Sequence, residues 1–287
     1  MANPARDGLL LVDKPAGMTS HDVVDRARRA LRTKRVGHAG TLDPFATGLL
    51  VLLVGRATRL LPYVDGEPKV YEASIRFGAE TNTDDLTGEV TRVAPPPAHD
   101  AVDRALGTLT GAIDQVPPAF SAKQVGGQRA YVAARRGEAL DLAPARVQVH
   151  SWELRGWDGD DLRATIVCGG GTYIRALARD LGRASGSAAH LVALRRVASG
   201  RFDVGAAVSV DAIGEGALRP AVDALPEVPR VRMDDAARAR IGRGMTIARD
   251  RSDAGEIAAL LDSAGELVAI AARDGDAWQP RVVLVDG

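Results

Sequence analysis

An aspartate held in a rigid loop among small residues is a carboxylate available for chemistry. In the segment GHAGTLDPFATG, residues 37–48, Asp43 stands between Leu42 and Pro44. Pro44 restrains Asp43 toward extended backbone, and the flanking glycines allow a neighbouring backbone to pass closely. The Gly, Thr, Asp and Pro content predicts a loop over the whole of 37–48. An isolated Asp-Pro also serves as a turn or capping residue, so this segment alone leaves both roles open. Tyr71 is the second candidate. In KVYEASIRFG, Tyr71, Ala73, Ile75 and Phe77 alternate with Val70, Glu72, Ser74 and Arg76, which predicts a half-buried strand with Tyr71 on its apolar face. Aromatics make up only 4% of the chain, so a tyrosine in a polar motif stands out. Arg175 is the third. It falls in the first turn of a helix predicted by the stripe Ile174, Leu177, Ala178 and Leu181, behind the glycine-rich entry GGGTY.

The elements that must position these groups are legible around them. GLLLVDKP reads as a short buried strand ended by Pro15. Thr19 and Asp22 make a helix start, with Val23, Val24, Ala27, Ala30 and Leu31 at helical spacing and the arginines on the other face. LLVLLVG has strand length and continuous hydrophobicity, which predicts burial on both faces. TNTDDLTG is a polar turn and APPPAHD a surface connection. Residues 117–146 carry Gly, Pro and Arg with only short apolar runs, an excursion from the main sheet. LRATIVC returns as a strand. ALPEVPRV marks a domain boundary, after which ELVAIAA and RVVLV predict a small β-rich module.

At 287 residues, one large domain plus a smaller one is expected. The single cysteine, Cys168, excludes an intrachain disulfide and a cysteine-cluster metal site, and fits a reducing compartment. No apolar run approaches the ~20 residues of a membrane span and the N-terminus has no hydrophobic signal core, so a cytoplasmic protein is expected. Basic and acidic residues balance at 37 each, but residues 26–35 (RARRALRTKR) hold six basic side chains and no acidic one. Residues 121–136 hold four and none. Such clusters create a local field able to hold a phosphate backbone, and equally suit a solvated helix face.

Several ordered blocks, DKPAGMTSHD, GHAGTLDPFATGLLVLLVGRATR, KVYEASIRFGAETNTDDLTGEV, VPPAFSAKQVGGQRAYVAARRGE, VCGGGTYIRALARDLG and AHLVALRRVASG, resemble the motifs of the TruB family of pseudouridine synthases and cover most of residues 8–202. The resemblance implies an α+β pseudouridine synthase fold with a mixed, mostly antiparallel central sheet flanked by helices. It implies a catalytic domain over 1–226, with a T-loop-gripping insertion at about 117–146, and a PUA-like RNA-binding domain over 227–287, for which a merely structural appendage stays open. Because all the matched chemistry lies before residue 203, loss of 227–287 is expected to weaken tRNA binding and leave some catalysis. The implied reaction is isomerisation of uridine-55 in the T-loop of tRNA, without metal, organic cofactor, guide RNA or membrane, by a monomer. By the same resemblance Asp43 is the catalytic carboxylate, Arg175 its guanidinium partner and Tyr71 the ring stacked on the base. Tyr173 supports Arg175 or the pocket wall, His38 occupies the space of the everted base, and Leu194 walls the uracil. Asp85 joins the polar network, Lys14 supports the catalytic loop or a tRNA contact, and Arg59, a substrate-binding residue by the same resemblance, stands where the family commonly has lysine. A catalytically silent tRNA-binding protein, or a synthase acting on another RNA, remains open at this point.

Overall fold

The computed structural model describes residues 7–285 other than 122, 139, 251 and 254. The chain forms two compact units, one from the residues up to 44, 49–66 and 201 onward, the other from 45–48 and 67–200. In the first unit, β1 (Gly8–Lys14) is followed by α1 (Ser20–Ala30), β2 (Val36–Ala39) and β3 (Thr47–Val54). The start of α1 is the predicted capping box: Thr19 Oγ1 accepts from the Asp22 backbone N–H at 3.0 Å, and Asp22 Oδ2 accepts from the Thr19 N–H at 2.8 Å.

The continuous hydrophobicity of β3 has the predicted cause. Leu49, Val51 and Leu53 join one buried cluster with Leu9 and Leu11, while Leu50, Leu52 and Val54 join another with Leu10, Val12, Val23, Val24 and Ala27 of α1. Burying six such side chains contributes on the order of 10 kcal/mol relative to leaving them in water. The structure corrects the loop expectation at its edges. Residues 37–39 are strand, because β2 lies antiparallel on β3 with Val36 opposite Val54 and His38 opposite Leu52. This pairing draws on residues well along the chain, from Gly37 opposite Leu53 to Ala39 opposite Val51, which local composition does not register. The loop proper is 40–46.

The second unit holds β4 (Lys69–Phe77), the hairpin β5 (Ala79–Thr81) and β6 (Val90–Val93), α2 (His99–Thr108) and β7 (Gly111–Gln115). It continues with the hairpin β8 (Gln124–Val125) and β9 (Gln128–Arg129), α3 (Ala130–Arg135), β10 (Ala145–Asp158), β11 (Asp161–Cys168), α4 (Ile174–Ala184) and β12 (Ala189–Ser199). Antiparallel pairing runs β12, β4, β11, β10, β7, and β12 pairs in parallel with Thr47 and Gly48 at the start of β3, so the sheet is mixed and mostly antiparallel as expected. The burial of β4 alternates as predicted from its period of two. The 117–146 excursion consists of a two-stranded hairpin and one short helix; positions 122 and 139, and the side chains of Arg129 and Arg135, fall outside what is described. Helix α2 has no counterpart in the sequence reading, because Val102 and Ala105 alone make its buried stripe.

The chain then returns to the first unit through β13 (Phe202–Asp203) and β14 (Val208–Ser209), the latter parallel to β1. The last segment has β15 (Arg230–Arg232), α5 (Asp235–Gly242), β16 (Ile247–Ala248), β17 (Ile257–Leu261), β18 (Leu267–Asp274) and β19 (Ala277–Val283), with sheet order β15-β17-β18-β19-β16. One side of this sheet has its own core around Trp278, Ile241 and Val268. The other side places Ala259, Leu261, Leu267, Ile270, Val282 and Leu284 in the same buried cluster as Leu9, Leu49, Leu53 and Phe202. Among the described residues no helix is long and apolar enough to cross a membrane.

Candidate active site

In the first unit, the loop that carries Asp43 is tied down on both sides of that residue. On one side, Ser20 Oγ donates to the Leu42 carbonyl at 3.2 Å and accepts from the Leu42 N–H at 2.9 Å. On the other, the Pro44 carbonyl accepts from the Gly17 N–H at 2.8 Å and from Lys14 Nζ at 3.4 Å. Lys14 is fully buried, and its ammonium also donates to the carbonyls of Pro15 at 2.9 Å and Met18 at 2.7 Å. A buried cation that organises several carbonyls costs desolvation and persists only where its hydrogen bonds are made. The result is a half-buried carboxylate with both flanking peptides anchored to the segment 14–20. Ser20, the first residue of α1, is a positioning group that the sequence reading missed. Its signal was its place directly after the Thr19 cap, inside the block DKPAGMTSHD.

In the second unit, α4 carries Arg175, Arg179 and Arg183 on one face at a spacing of four, and each reaches into the 80–85 segment. Arg175 is buried; Nε lies 3.7 Å from Asp85 Oδ2, Nη1 donates to the Thr83 carbonyl at 2.8 Å, and Nη2 to the Phe120 carbonyl at 3.0 Å. Arg179 Nη1 meets Asp84 Oδ2 at 2.8 Å, Nη2 donates to the Val116 carbonyl at 2.8 Å, and Nε meets Asp180 at 2.8 Å. Arg183 forks onto Glu80 at 2.6 and 3.0 Å, and Arg92 closes on the same carboxylate at 2.7 Å. The first two arginines therefore join the 80–85 turn to the root of the 117–146 excursion. Asp85 is held by Thr83 Oγ1 at 2.8 Å and by the N–H and Oγ1 of Thr87 at 2.9 and 2.6 Å, which fixes the carboxylate that faces Arg175.

Burial pushes the Asp84 carboxyl up to about 6, against the pull of Arg179 and Arg175. Burial also raises Glu80, but Arg183 and Arg92 outweigh it and leave this carboxyl below its ordinary value. Burial pushes the Cys168 thiol up to about 11, so it offers no thiolate at neutral pH. Asp84 and Arg179 form part of the network without having been singled out in the sequence.

The remaining expected residues are placed as follows. His38 lies half-buried on β2, directly before the Asp43 loop. Tyr71 is buried on β4, and Leu194 lies on β12 opposite Ala73. Tyr71 and Ala73 are two residues apart, so Tyr71 and Leu194 share one face of the sheet as diagonal neighbours. Tyr173 is the N-cap residue of α4, and the Gln115 side-chain amide grips its backbone twice, accepting from the N–H at 2.9 Å and donating to the carbonyl at 3.1 Å. Gln115, buried at the end of β7, was also missed by sequence reading. Arg59, expected to face substrate, donates Nη1 to the Val283 carbonyl of β19 at 2.6 Å, a contact within the chain.

Residues 28–174 match the TruB family pseudouridylate synthase N-terminal domain, and residues 175–223 match the tRNA pseudouridylate synthase B C-terminal domain. The chain is 43% identical to the tRNA pseudouridine synthase B of Paenarthrobacter aurescens (strain TC1) over 98% of its own length and 96% of that protein. It is 49% identical to the protein of the same name from Thermobifida fusca (strain YX), over 82% of this chain and 84% of that one. Its fold is that of a chain in the crystal structure of a Cbf5-Nop10-Gar1 complex, with a TM-score of 0.71 at 24% identity, covering 97% and 85% of the two chains. These matches define an RNA pseudouridylate synthase fold. The chain belongs to the TruB family of pseudouridylate synthases.

Proposed function

We propose that the chain isomerises uridine to pseudouridine in tRNA, at uridine-55 of the T-loop, with Asp43 as the carboxylate that carries the covalent step. The observation that carries this reading is the single half-buried carboxylate of a loop anchored on both flanks, lying inside the stretch that matches the family. Isomerisation breaks the carbon–nitrogen glycosidic bond, turns the uracil and rejoins it through C5. A carboxylate suits this reaction because it is both a nucleophile and a competent leaving group. The target base must leave its stack to reach an enclosed loop, so the nucleotide flips outward. The resemblance assigns Tyr71 as the ring that stacks on the base, Leu194 as an apolar wall, Arg175 as the guanidinium partner of the carboxylate, and His38 as the group that fills the vacated space.

Residues 1–226 carry the chemistry in this reading, and 227–287 form a PUA-like RNA-binding module. The excursion at 117–146 grips the T-arm through its basic side chains. The enzyme works directly on tRNA, as a cytoplasmic monomer without a guide RNA. The test is incubation with unmodified tRNA followed by mapping of pseudouridine at nucleoside resolution. Modification at the T-loop uridine alone is the expected outcome. Modification elsewhere points to a different RNA target, and tight tRNA binding without any pseudouridine points to a silent RNA-binding protein.

A further inference from the structure

Among the described residues, the exposed cations between the end of α1 and the start of β2 lack the carboxylate partner that many arginines of the molecule have. Arginines 26, 28, 56, 76, 92, 104, 146, 155, 163, 175, 179 and 183 all meet a carboxylate within the chain. Arg29, Arg32, Lys34 and Arg35 are exposed and meet no carboxylate among the described residues. The helix dipole gives a partial reason for a cation at Arg29, in the last turn of α1. It gives none for Arg32, Lys34 and Arg35, which lie beyond the helix.

Two further features concern the backbone that presents them. Arg32 sits at φ 50°, in the left-handed region just past the helix cap, where glycine or asparagine is favoured and any other residue costs about 1–2 kcal/mol. A large cation therefore occupies a position whose backbone disfavours it. The segment that follows is fixed: Thr33 Oγ1 accepts from the Arg35 N–H at 3.2 Å, and the Arg35 carbonyl accepts from the Gly55 N–H at 2.8 Å. The cluster is thus a rigidly mounted positive surface.

Strand β2 connects it to the loop of Asp43. Four strand residues span about 13 Å, which equals about four rises of a stacked nucleic-acid strand at ~3.4 Å each. We propose that Arg29, Arg32, Lys34 and Arg35 form a phosphate-binding surface for the backbone of the substrate RNA, outside the target loop, that positions the RNA without reading its sequence. This inference rests on the RNA-modifying function proposed above and adds a contact region to it.

The experiment measures binding of unmodified, transcribed tRNA by fluorescence anisotropy at a series of potassium chloride concentrations. Three proteins are compared: wild type, Arg32→Gly, and the combined change Arg29→Gln, Arg32→Gln, Lys34→Gln and Arg35→Gln. Each lost phosphate contact removes about 0.7–0.9 from the slope of log affinity against log salt. The combined variant is therefore expected to flatten the slope by about 3 and to weaken binding at least ~tenfold at 0.15 M salt. Arg32→Gly is expected to flatten the slope by just under 1 while its Tm stays level or rises, since glycine relieves the left-handed backbone. That opposite response of binding and stability is what a merely structural arginine would not give. An unchanged slope in both variants overturns the proposal, with Arg32→Gly alone deciding if the combined variant does not fold. If wild type itself shows no salt-dependent affinity for tRNA, the failure belongs to the function proposed above.

Discussion

Asp43 and Asp85 are both carboxylates in polar loops, but their surroundings give them different work. The peptides on either side of Asp43 are anchored while its side chain is half-buried, which suits a group that must meet a ligand. Asp43→Asn keeps size and removes nucleophilicity. Tritium release from tRNA labelled at uridine C5 should fall below detection even in single turnover, while tRNA affinity stays within about tenfold, or ~1.4 kcal/mol. Appreciable release from a variant checked for deamidation would sink the covalent role. Asp85 is buried, with its carboxylate saturated by Thr83, Thr87 and Arg175. Asp85→Asn leaves the Arg175 guanidinium buried beside a neutral group, so a loss of about 3 kcal/mol in urea unfolding is expected, together with slower catalysis. A variant as stable as wild type would show that Asp85 does not balance Arg175.

At the level of elements, α4 acts as a rack of three arginines. The pH dependence of this rack turns on Asp84. Its folded value, about 6, lies above the ordinary 3.8, so the folded protein binds this proton more tightly than the unfolded chain. The contribution of Asp84 to stability therefore increases as pH falls from about 6 toward 3.8, by up to about 3 kcal/mol. Relative to Asp84→Asn, which cannot titrate, the Tm of wild type should rise on acidification across that window. A constant difference between the two proteins would show that Asp84 does not titrate there. Arg179 keeps Asp180 as a carboxylate partner when Asp84 is protonated, because its Nε meets Asp180 at 2.8 Å. The same protonation weakens the tie of Arg179 to the 80–85 turn, so catalysis is expected to decline over that range while stability does not. A second element-level constraint sits at the start of β3. Gly48 has φ +101°, and a Cβ there would meet the Arg196 carbonyl oxygen at 2.2 Å and its nitrogen at 2.8 Å. Gly48→Ala must break the β3–β12 pairing or shift it, and a loss of more than about 3 kcal/mol is expected by chemical denaturation.

For the whole molecule, the C-terminal sheet changes what truncation means. Sequence reading expects a fragment without 227–287 to bind tRNA more weakly and to keep some catalysis. The structure places five large apolar side chains of that segment, Leu261, Leu267, Ile270, Val282 and Leu284, in one cluster with Leu9, Leu49, Leu53 and Phe202. Removing them exposes apolar area worth on the order of 10 kcal/mol, as much as the net stability of a typical domain. A fragment ending at residue 226 is thus expected to aggregate or to bind a hydrophobic dye. A monomeric fragment with native near-ultraviolet dichroism and full activity on a T-arm stem-loop would show that this shared core is dispensable.

The local pattern determined much of this. The capping box at Thr19 and Asp22, the two-sided burial of β3, the alternation that puts Tyr71 on an apolar face and the stripe of α4 all follow from spacings of two and 3.6 residues, which the chain carries in itself. The ordered motifs added the family, and the roles proposed for Asp43, Tyr71 and Arg175 rest on them. What tertiary structure alone decided are the long-range contacts, because hydrogen bonding and burial between segments far apart leave no local period. Ser20 on the peptide of Leu42, Gln115 on the backbone of Tyr173, Arg179 on Asp84 and Val116, Arg59 on Val283, and residues 37–39 as a strand are of this kind. The shared core of the first unit is another, since an apolar face read from sequence does not name the surface that covers it.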